Sequence, residues 1–556
     1  MRFGQWATIG TAGVLMCAAV GCSDDGNDSS AADSTAAPAE TDGPAPDETT
    51  VEDTSADGAP DDDAITGDTS GITAEAVAGS FDTLDGIVER VMADTGVPGV
   101  AVGVVYDDEL VYAQGYGVRS VDADDPVDAN TVFQLASLSK PISSTVMSGL
   151  VGQETFEWDD PVIEYAPQFA LDDEWVTEHV TFADLFSHRS GLPGGAAGND
   201  LEQIGFDRDT ILPLLAFVPI DGFRETYSYS NWAMTLGAEI GGIAAGSDWE
   251  TVSDDVLFGP AGMDNTSMRH EDFLAEDNRA ELHVPRGDGE WVADFPRDPD
   301  PQAPAGGVSS NVIDLAEWMR IQLGGGELDG EAIIDGEALS QTHVPHITSR
   351  PPVPPNGGQA GLYGLGWGIN TEFGGLVTWA HSGAFSNGAN TTVKLVPQEN
   401  LGIVVLSNGA PVGAPETIAD AYVDSLVTGE DNTTEWSELW SARMGGVYGE
   451  PLDLGPEPSE PDPAEAPDVY AGTYSNGYVG EVTIAANDDG TLEMGIGPIG
   501  ITYTLEHHDA DTFVYAHSPE LPDFVETATF EIVDGRAASL TLSAMDGAGL
   551  GTLERV

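Results

Sequence analysis

Apolar residues recur at Phe81, Leu84, Ile87, Val88 and Val91 and stop before Gly96-Val97-Pro98-Gly99, a spacing that predicts an amphipathic helix closed by glycine and proline. Two runs rich in β-branched residues follow, Val100 to Tyr106 and Leu110 to Tyr112, split by Asp107-Asp108-Glu109, which predicts a hairpin. A mixed helical region fills the middle of the chain. Strand patterns return at Leu376 to Ala380, Thr391 to Val396 and Leu401 to Leu406, the last two joined by Pro397-Gln398-Glu399-Asn400. A sheet built from first and last strands with helices inserted between them predicts an α+β domain over residues 74–430: an antiparallel sheet flanked by helices, with a helical subdomain.

The pattern changes at both ends. An apolar run from Trp6 to Val20, preceded by Arg2 and followed by Gly21-Cys22 and then Ser23-Asp24-Asp25, is too short to span a bilayer and predicts a signal peptide over residues 1–22. Residues 23–73 are dominated by Asp, Ser, Thr, Ala, Pro and Gly; such a composition cannot bury enough apolar surface to offset chain entropy, so a disordered acidic tether is expected. After the α+β domain, residues 431–467 include the Pro and Glu rich stretch from Glu450 to Pro467 and are expected to be a linker. Residues 468–556 alternate short strand patterns with Asn476-Gly477, Asp489-Gly490 and Asp534-Gly535, which predicts a small antiparallel β domain.

Charge narrows the function. The chain has 96 acidic and 17 basic residues, a formal net charge of -79. It would be repelled by phosphate backbones and anionic headgroups, so nucleic acid and electrostatic membrane partners are excluded. Only Cys17 and Cys22 are present; Cys17 would leave with the signal, so no disulfide is possible in the mature chain.

Lysine occurs only twice, and Lys140 stands three residues after Ser137 in Phe133-Gln134-Leu135-Ala136-Ser137-Leu138-Ser139-Lys140. A serine and a lysine one turn apart share a helix face, and S-x-x-K lets a lysine take the proton of a nucleophilic serine without a histidine. Apolar Leu138, Ile142, Val146 and Leu150 bury such a helix, and Pro141 is tolerated only in its first turn. A serine at a helix start is more often a cap, so the motif alone is weak. It is joined by Tyr227-Ser228-Tyr229-Ser230-Asn231 and by Trp379-Ala380-His381-Ser382-Gly383-Ala384 at a strand end. A tyrosine beside a lysine can have its pKa lowered and act as a base, and a strand edge can present backbone N–H groups to a carbonyl. Ser139 falls on another helix face. His507-His508 lacks zinc-site spacing, and no metal or cofactor is expected.

Together these motifs resemble the serine β-lactamase and penicillin-binding-protein superfamily, specifically its class C-like branch. Val97-Pro98-Gly99, Leu185 to Pro193 around Ser187-His188-Arg189, Pro304-Ala305-Gly306-Gly307-Val308-Ser309-Ser310 and Tyr363-Gly364-Leu365-Gly366-Trp367 add to the resemblance. It implies a β-lactamase-like fold with Ser137, Lys140 and Tyr229 as catalytic residues. Asn231, His381, Gly383 and Ala384 then contact substrate, and the N–H groups of Ser137 and Ala384 form the oxyanion hole. His381 stands where a lysine is found in K-T-G, which disfavours substrates that need a permanent positive charge. The implied activity is that of a serine hydrolase acting through an acyl-enzyme on an ester or a D-amino-acid peptide, like an esterase, a D-alanyl-D-alanine carboxypeptidase or a D-aminopeptidase. A β-lactamase and a non-catalytic binder of cell-wall peptides are the alternatives. The partner is a small-molecule or peptide substrate, and the sequence carries no signal of oligomeric state. Cys22 resembles the acylated cysteine of a bacterial lipoprotein, which implies an extracytoplasmic protein anchored to the membrane through lipid alone; the terminal β domain resembles lipocalin-like domains appended to such hydrolases.

Overall fold

The computed structural model describes residues 71–195, 197–286, 289–351, 360–445, 452–454, 460–521 and 524–556. The expected signal peptide, Cys22 and nearly all of the tether lie outside these residues. No described helix is long and apolar enough to cross a membrane.

The first domain is built on an eight-stranded antiparallel sheet in the order Glu109–Gly117, Gly99–Tyr106, Leu401–Ser407, Ala389–Val396, Leu376–Phe385, Gly368–Glu372, Gly361–Tyr363, Ile347–Arg350. Strands from both ends of the domain meet as the second and third of the sheet, where Val100 pairs with Ser407 and Val104 with Ile403. Successive side chains point to opposite faces, and both faces are covered, so these strands read as unbroken apolar runs. Val100, Val102, Val104, Ile403 and Val405 pack under helices Phe81–Thr95 and Ala414–Thr428 through Leu84, Ile87, Val88, Ile418 and Tyr422. Ala101, Val105, Val393, Leu395, Val404 and Leu406 join the other core, which contains Leu138 and, from helix Ser139–Gly152, Ile142 and Val146.

The helix expected over Phe81 to Val91 runs to Thr95 and ends on Gly96, whose left-handed φ of 74° suits a residue without a Cβ. Two stretches differ from expectation. The strand expected over Leu376 to Ala380 continues to Phe385, because Ala389–Val396 holds its register through His381↔Val393, Gly383↔Thr391 and Ala384↔Asn390. Within the stretch expected to be a linker, Thr433–Met444 is a helix, anchored by buried Trp440, whose indole N–H donates to Asp420 at 2.8 Å. Proline content marked the linker, and a pair of tryptophans overrode the polar composition just ahead of it.

The C-terminal region is a closed antiparallel barrel of eight strands from Gly472–Asn476 to Thr552–Arg555. Its core of Tyr474, Val482, Met494, Phe513, Phe530 and Leu540 follows the alternation of the strands. The barrel is seated on the helical region of the first domain. The buried hydroxyl of Tyr478 donates to Asp200 Oδ1 at 2.7 Å and accepts the Gly198 N–H at 3.0 Å, while His517 meets Gln203 at 2.6 Å.

Candidate active site

Ser137 sits in a single 3₁₀ turn, Ala136–Leu138, that leads into helix Ser139–Gly152. Ala136 adopts φ 49°, a left-handed conformation that costs free energy for a residue with a Cβ. The apolar stripe Leu138, Ile142, Val146 and Leu150 buries the helix, and Pro141 falls in its first turn as the sequence requires.

Lys140 is fully buried, and its Nζ lies 2.9 Å from Ser137 Oγ and 2.9 Å from the Ala305 carbonyl oxygen. No carboxylate compensates its charge among the described residues, so burial pushes it well below the ordinary lysine range. The other lysine shows the contrast: Lys394 is ion-paired with Glu372 and Asp420, whose charges outweigh burial and hold it above its usual value. Ser139 is spent on structure, donating to the Ala136 carbonyl at 2.7 Å and accepting the Val308 N–H at 3.0 Å.

Tyr229 reaches the same point from the loop ahead of helix Asn231–Ala245. Its hydroxyl shares a hydrogen bond with Ser137, and the Lys140 Nζ lies 4.6 Å from its ring centroid. The expected direction of its pKa is reversed. Burial pushes the phenol up, and the bond to Ser137 offsets this only in part. Tyr229 therefore keeps its proton, while burial moves Lys140 toward the neutral amine. Asn231 opens the helix, with its Oδ1 buried and without a partner among the described residues.

His381, Gly383 and Ala384 lie on the strand Leu376–Phe385. The neighbouring strand stops pairing at Ala380, which meets Gly368, so beyond this point that edge is open. A Cβ on Gly383 would lie 2.0 Å from the Leu135 carbonyl oxygen and 2.8 Å from the Leu138 nitrogen, which places the open edge directly against the turn that carries Ser137. Edge and turn together can offer backbone N–H groups to one carbonyl oxygen. His381 is held by Tyr363, at 3.0 Å from Nε2, and by the Ser382 carbonyl, at 2.8 Å from Nδ1. Burial first, and Lys140 second, push its pKa down to about 3, so it carries no charge at neutral pH.

Ser137, Lys140, Tyr229, His381 and Gly383 are thus brought together, Ala384 follows Gly383 on the same strand, and Asn231 opens the helix after Tyr229; Cys22 lies outside the described residues. Three contributors were not singled out as functional: the Ala305 carbonyl, Tyr363 and His188. Each lies in a stretch that the sequence marks only by resemblance. Those stretches wrap the nucleophile helix: Ser143 Oγ donates to the Pro304 carbonyl and Ser144 Oγ to the Leu365 carbonyl, both at 2.6 Å. Arg189 instead pairs with buried Asp184 at 2.7 Å, in keeping with a structural part.

A sheet closed by terminal strands, with a serine, a lysine and a tyrosine meeting under its open edge, is the architecture of the β-lactamase and penicillin-binding-protein superfamily of serine hydrolases. The chain belongs to the Beta-lactamase family, whose model matches residues 84–428. Residues 456–551 match a domain of unknown function, DUF3471. The chain is similar to the unguisins hydrolase ungD of Aspergillus violaceofuscus, 24% identical over 477 residues that cover 77% of this chain and 82% of that protein. It is similar in structure to the octameric penicillin-binding protein homologue from Pyrococcus abyssi, with a TM-score of 0.55 and 21% identity over 83% of this chain and 98% of that one. A class C β-lactamase gives a TM-score of 0.52 and 21% identity over 62% and 96% of the two chains.

Proposed function

We propose that this protein is a serine hydrolase that forms an acyl-enzyme on Ser137 and cleaves an ester or a D-amino-acid peptide. The observation that carries the reading is the 2.9 Å approach of a buried, carboxylate-free Lys140 amine to Ser137 Oγ.

In this reading the neutral amine takes the Ser137 proton as Oγ attacks the carbonyl carbon, and the bond to Ala305 keeps the amine aimed at Oγ. The oxyanion accepts hydrogen bonds from the N–H groups of Ser137 and Ala384. Tyr229, still protonated, gives its proton to the leaving oxygen or nitrogen and is refilled from the Lys140 ammonium, so the amine is again free. Water then repeats the sequence on the acyl-enzyme. The unpartnered Oδ1 of Asn231 accepts an N–H of the bound substrate. A neutral His381 gives no fixed charge for a substrate carboxylate, which places β-lactams behind esters and peptides.

Ser137→Ala should abolish labelling by a fluorophosphonate probe, and Lys140→Ala should abolish turnover of a p-nitrophenyl ester. Persistent labelling of the Ser137 variant would remove the serine from its role. A panel of short acyl esters, D-alanyl-D-alanine peptides and a chromogenic cephalosporin then ranks the substrates, with the cephalosporin expected last. The lipobox-like Cys22 supports export and a lipid anchor: metabolic labelling with an alkynyl fatty acid should mark wild type and spare Cys22→Ala.

A further inference from the structure

We propose that His188 is a positioning residue that fixes Tyr229 against Ser137. The inference rests on the acyl-enzyme reading above and assigns to it a residue that touches neither nucleophile nor substrate.

His188 is fully buried and adopts φ 58°, a left-handed conformation uncommon for residues other than glycine, though histidine takes it more readily than most. What holds it is the loop that carries Tyr229. The His188 carbonyl accepts the Ser228 N–H at 2.8 Å, and its Nδ1 accepts the Ser230 N–H at 3.2 Å. One residue thus grips the backbone on both sides of Tyr229. The imidazole also packs on the phenol, with ring centroids 4.4 Å apart, and is boxed in by Tyr363 at 5.1 Å and Tyr227 at 5.8 Å.

The grip depends on protonation. Nδ1 can accept the Ser230 N–H only if the ring is neutral with its proton on Nε2. Burial, Lys140 and His381 oppose an imidazolium and outweigh a hydrogen bond at the Ser230 backbone that favours it, and in the neutral ring the Ser230 N–H at Nδ1 leaves the proton on Nε2. Nε2 is buried with no partner among the described residues, so nothing else anchors the ring at that side. Because Ser230 also caps helix Asn231–Ala245 by accepting the Ala233 N–H at 3.2 Å, the same hold sets where Asn231 begins.

Two substitutions in the full-length chain separate positioning from bulk packing. His188→Leu keeps the volume but loses the acceptor, whereas His188→Asn tolerates left-handed backbone and offers Oδ1 to the Ser230 N–H. With a neutral ester, His188→Leu should lose kcat by about 100-fold with KM changed by less than about threefold, and His188→Asn should recover at least about tenfold of that loss. Wild-type kcat in His188→Leu, or a folded His188→Asn no more active than His188→Leu, would overturn the proposal. Imidazole ¹⁵N spectra of the wild type, with the His188 signal identified by its loss in His188→Asn, give a readout independent of variant folding. They should show an Nε2–H ring that stays neutral between pH 5 and pH 8; an Nδ1–H tautomer or an imidazolium at pH 7 would overturn it. Loss of hydrolysis in Ser137→Ala is needed in parallel: if that variant still turns over ester, the acyl-enzyme reading fails whatever His188 does.

Discussion

The Tyr363 hydroxyl lies 3.0 Å from His381 Nε2 and the Ser382 carbonyl 2.8 Å from Nδ1; the carbonyl can only accept, so Nδ1 carries a proton, and because burial keeps the ring neutral Nε2 accepts from the hydroxyl. Tyr363 keeps its proton because burial pushes its phenol well up. At the position proposed to meet the far end of a substrate, the site therefore offers a polar but uncharged group. His381→Lys should raise the acylation rate by a fluorescent penicillin roughly tenfold, the scale of one charge-assisted hydrogen bond, and leave a neutral ester within about twofold. Equal effects on both substrates would separate His381 from carboxylate recognition.

Gly383 is required by close approach. A Cβ there meets the Leu135 carbonyl oxygen at 2.0 Å, and backbone cannot swing away as a side chain can. Gly383→Ala should push the strand edge from Ser137 and lower kcat on any ester by at least about 100-fold, the scale of a misplaced oxyanion donor. Unchanged ester turnover would show that the edge does not serve the reacting carbonyl.

The barrel is fastened through Tyr478 and Asp200. Burial raises the Asp200 carboxyl to about 6, against an effect of the Tyr478 hydroxyl that lowers it. Removing the hydroxyl in Tyr478→Phe takes one of the hydrogen bonds of a buried carboxylate, leaving it the Leu201 N–H, and strands the Gly198 N–H, costing about 1–3 kcal/mol. A carboxyl whose folded pKa lies above its unfolded value of 3.8 loses stability as pH rises through that interval, and the variant raises the folded value further. The destabilisation measured by chemical unfolding should therefore be larger at pH 7.5 than at pH 4; a difference independent of pH would contradict it.

Glu416 is buried beneath the strand that carries the site, accepting from Asn390 at 2.9 Å, with its Oε2 unpartnered among the described residues and its pKa raised from 4.5 to about 7 by burial. The folded chain holds a proton that the unfolded chain releases, so this group lowers stability progressively from about pH 4.5 to pH 7. Glu416→Gln should leave stability near pH 4 unchanged and raise it by up to roughly 3 kcal/mol at pH 8. A loss at pH 8 would show that the ionised carboxylate is the form the fold needs.

The central strands and the nucleophile helix were legible in the sequence because burial on two faces or one leaves a plain apolar period, as in Val100 to Tyr106 and in Leu138, Ile142, Val146 and Leu150. The site was legible wherever a residue type is chemically scarce, above all Lys140. What local pattern could not carry was long-range pairing and burial. The strand beyond Ala380 is made by its partner across the sheet, and the helix Thr433–Met444 by an indole reaching Asp420. The direction of the Tyr229 shift turned on desolvation, which no spacing of charges along a chain reveals. His188 resembled packing because its backbone and ring act on residues some forty positions away.

The account depends most on an uncharged amine at Lys140, and the composition makes that directly measurable. With lysine labelled at ¹³Cε, the chain gives two signals, Lys140 and Lys394, which Lys394→Met identifies. One resonance should titrate well below the ordinary lysine range while the other, held by Asp420 and Glu372, stays ammonium throughout. Two resonances that lose their protons together in the ordinary range would contradict the assignment of Lys140 as the base that activates Ser137.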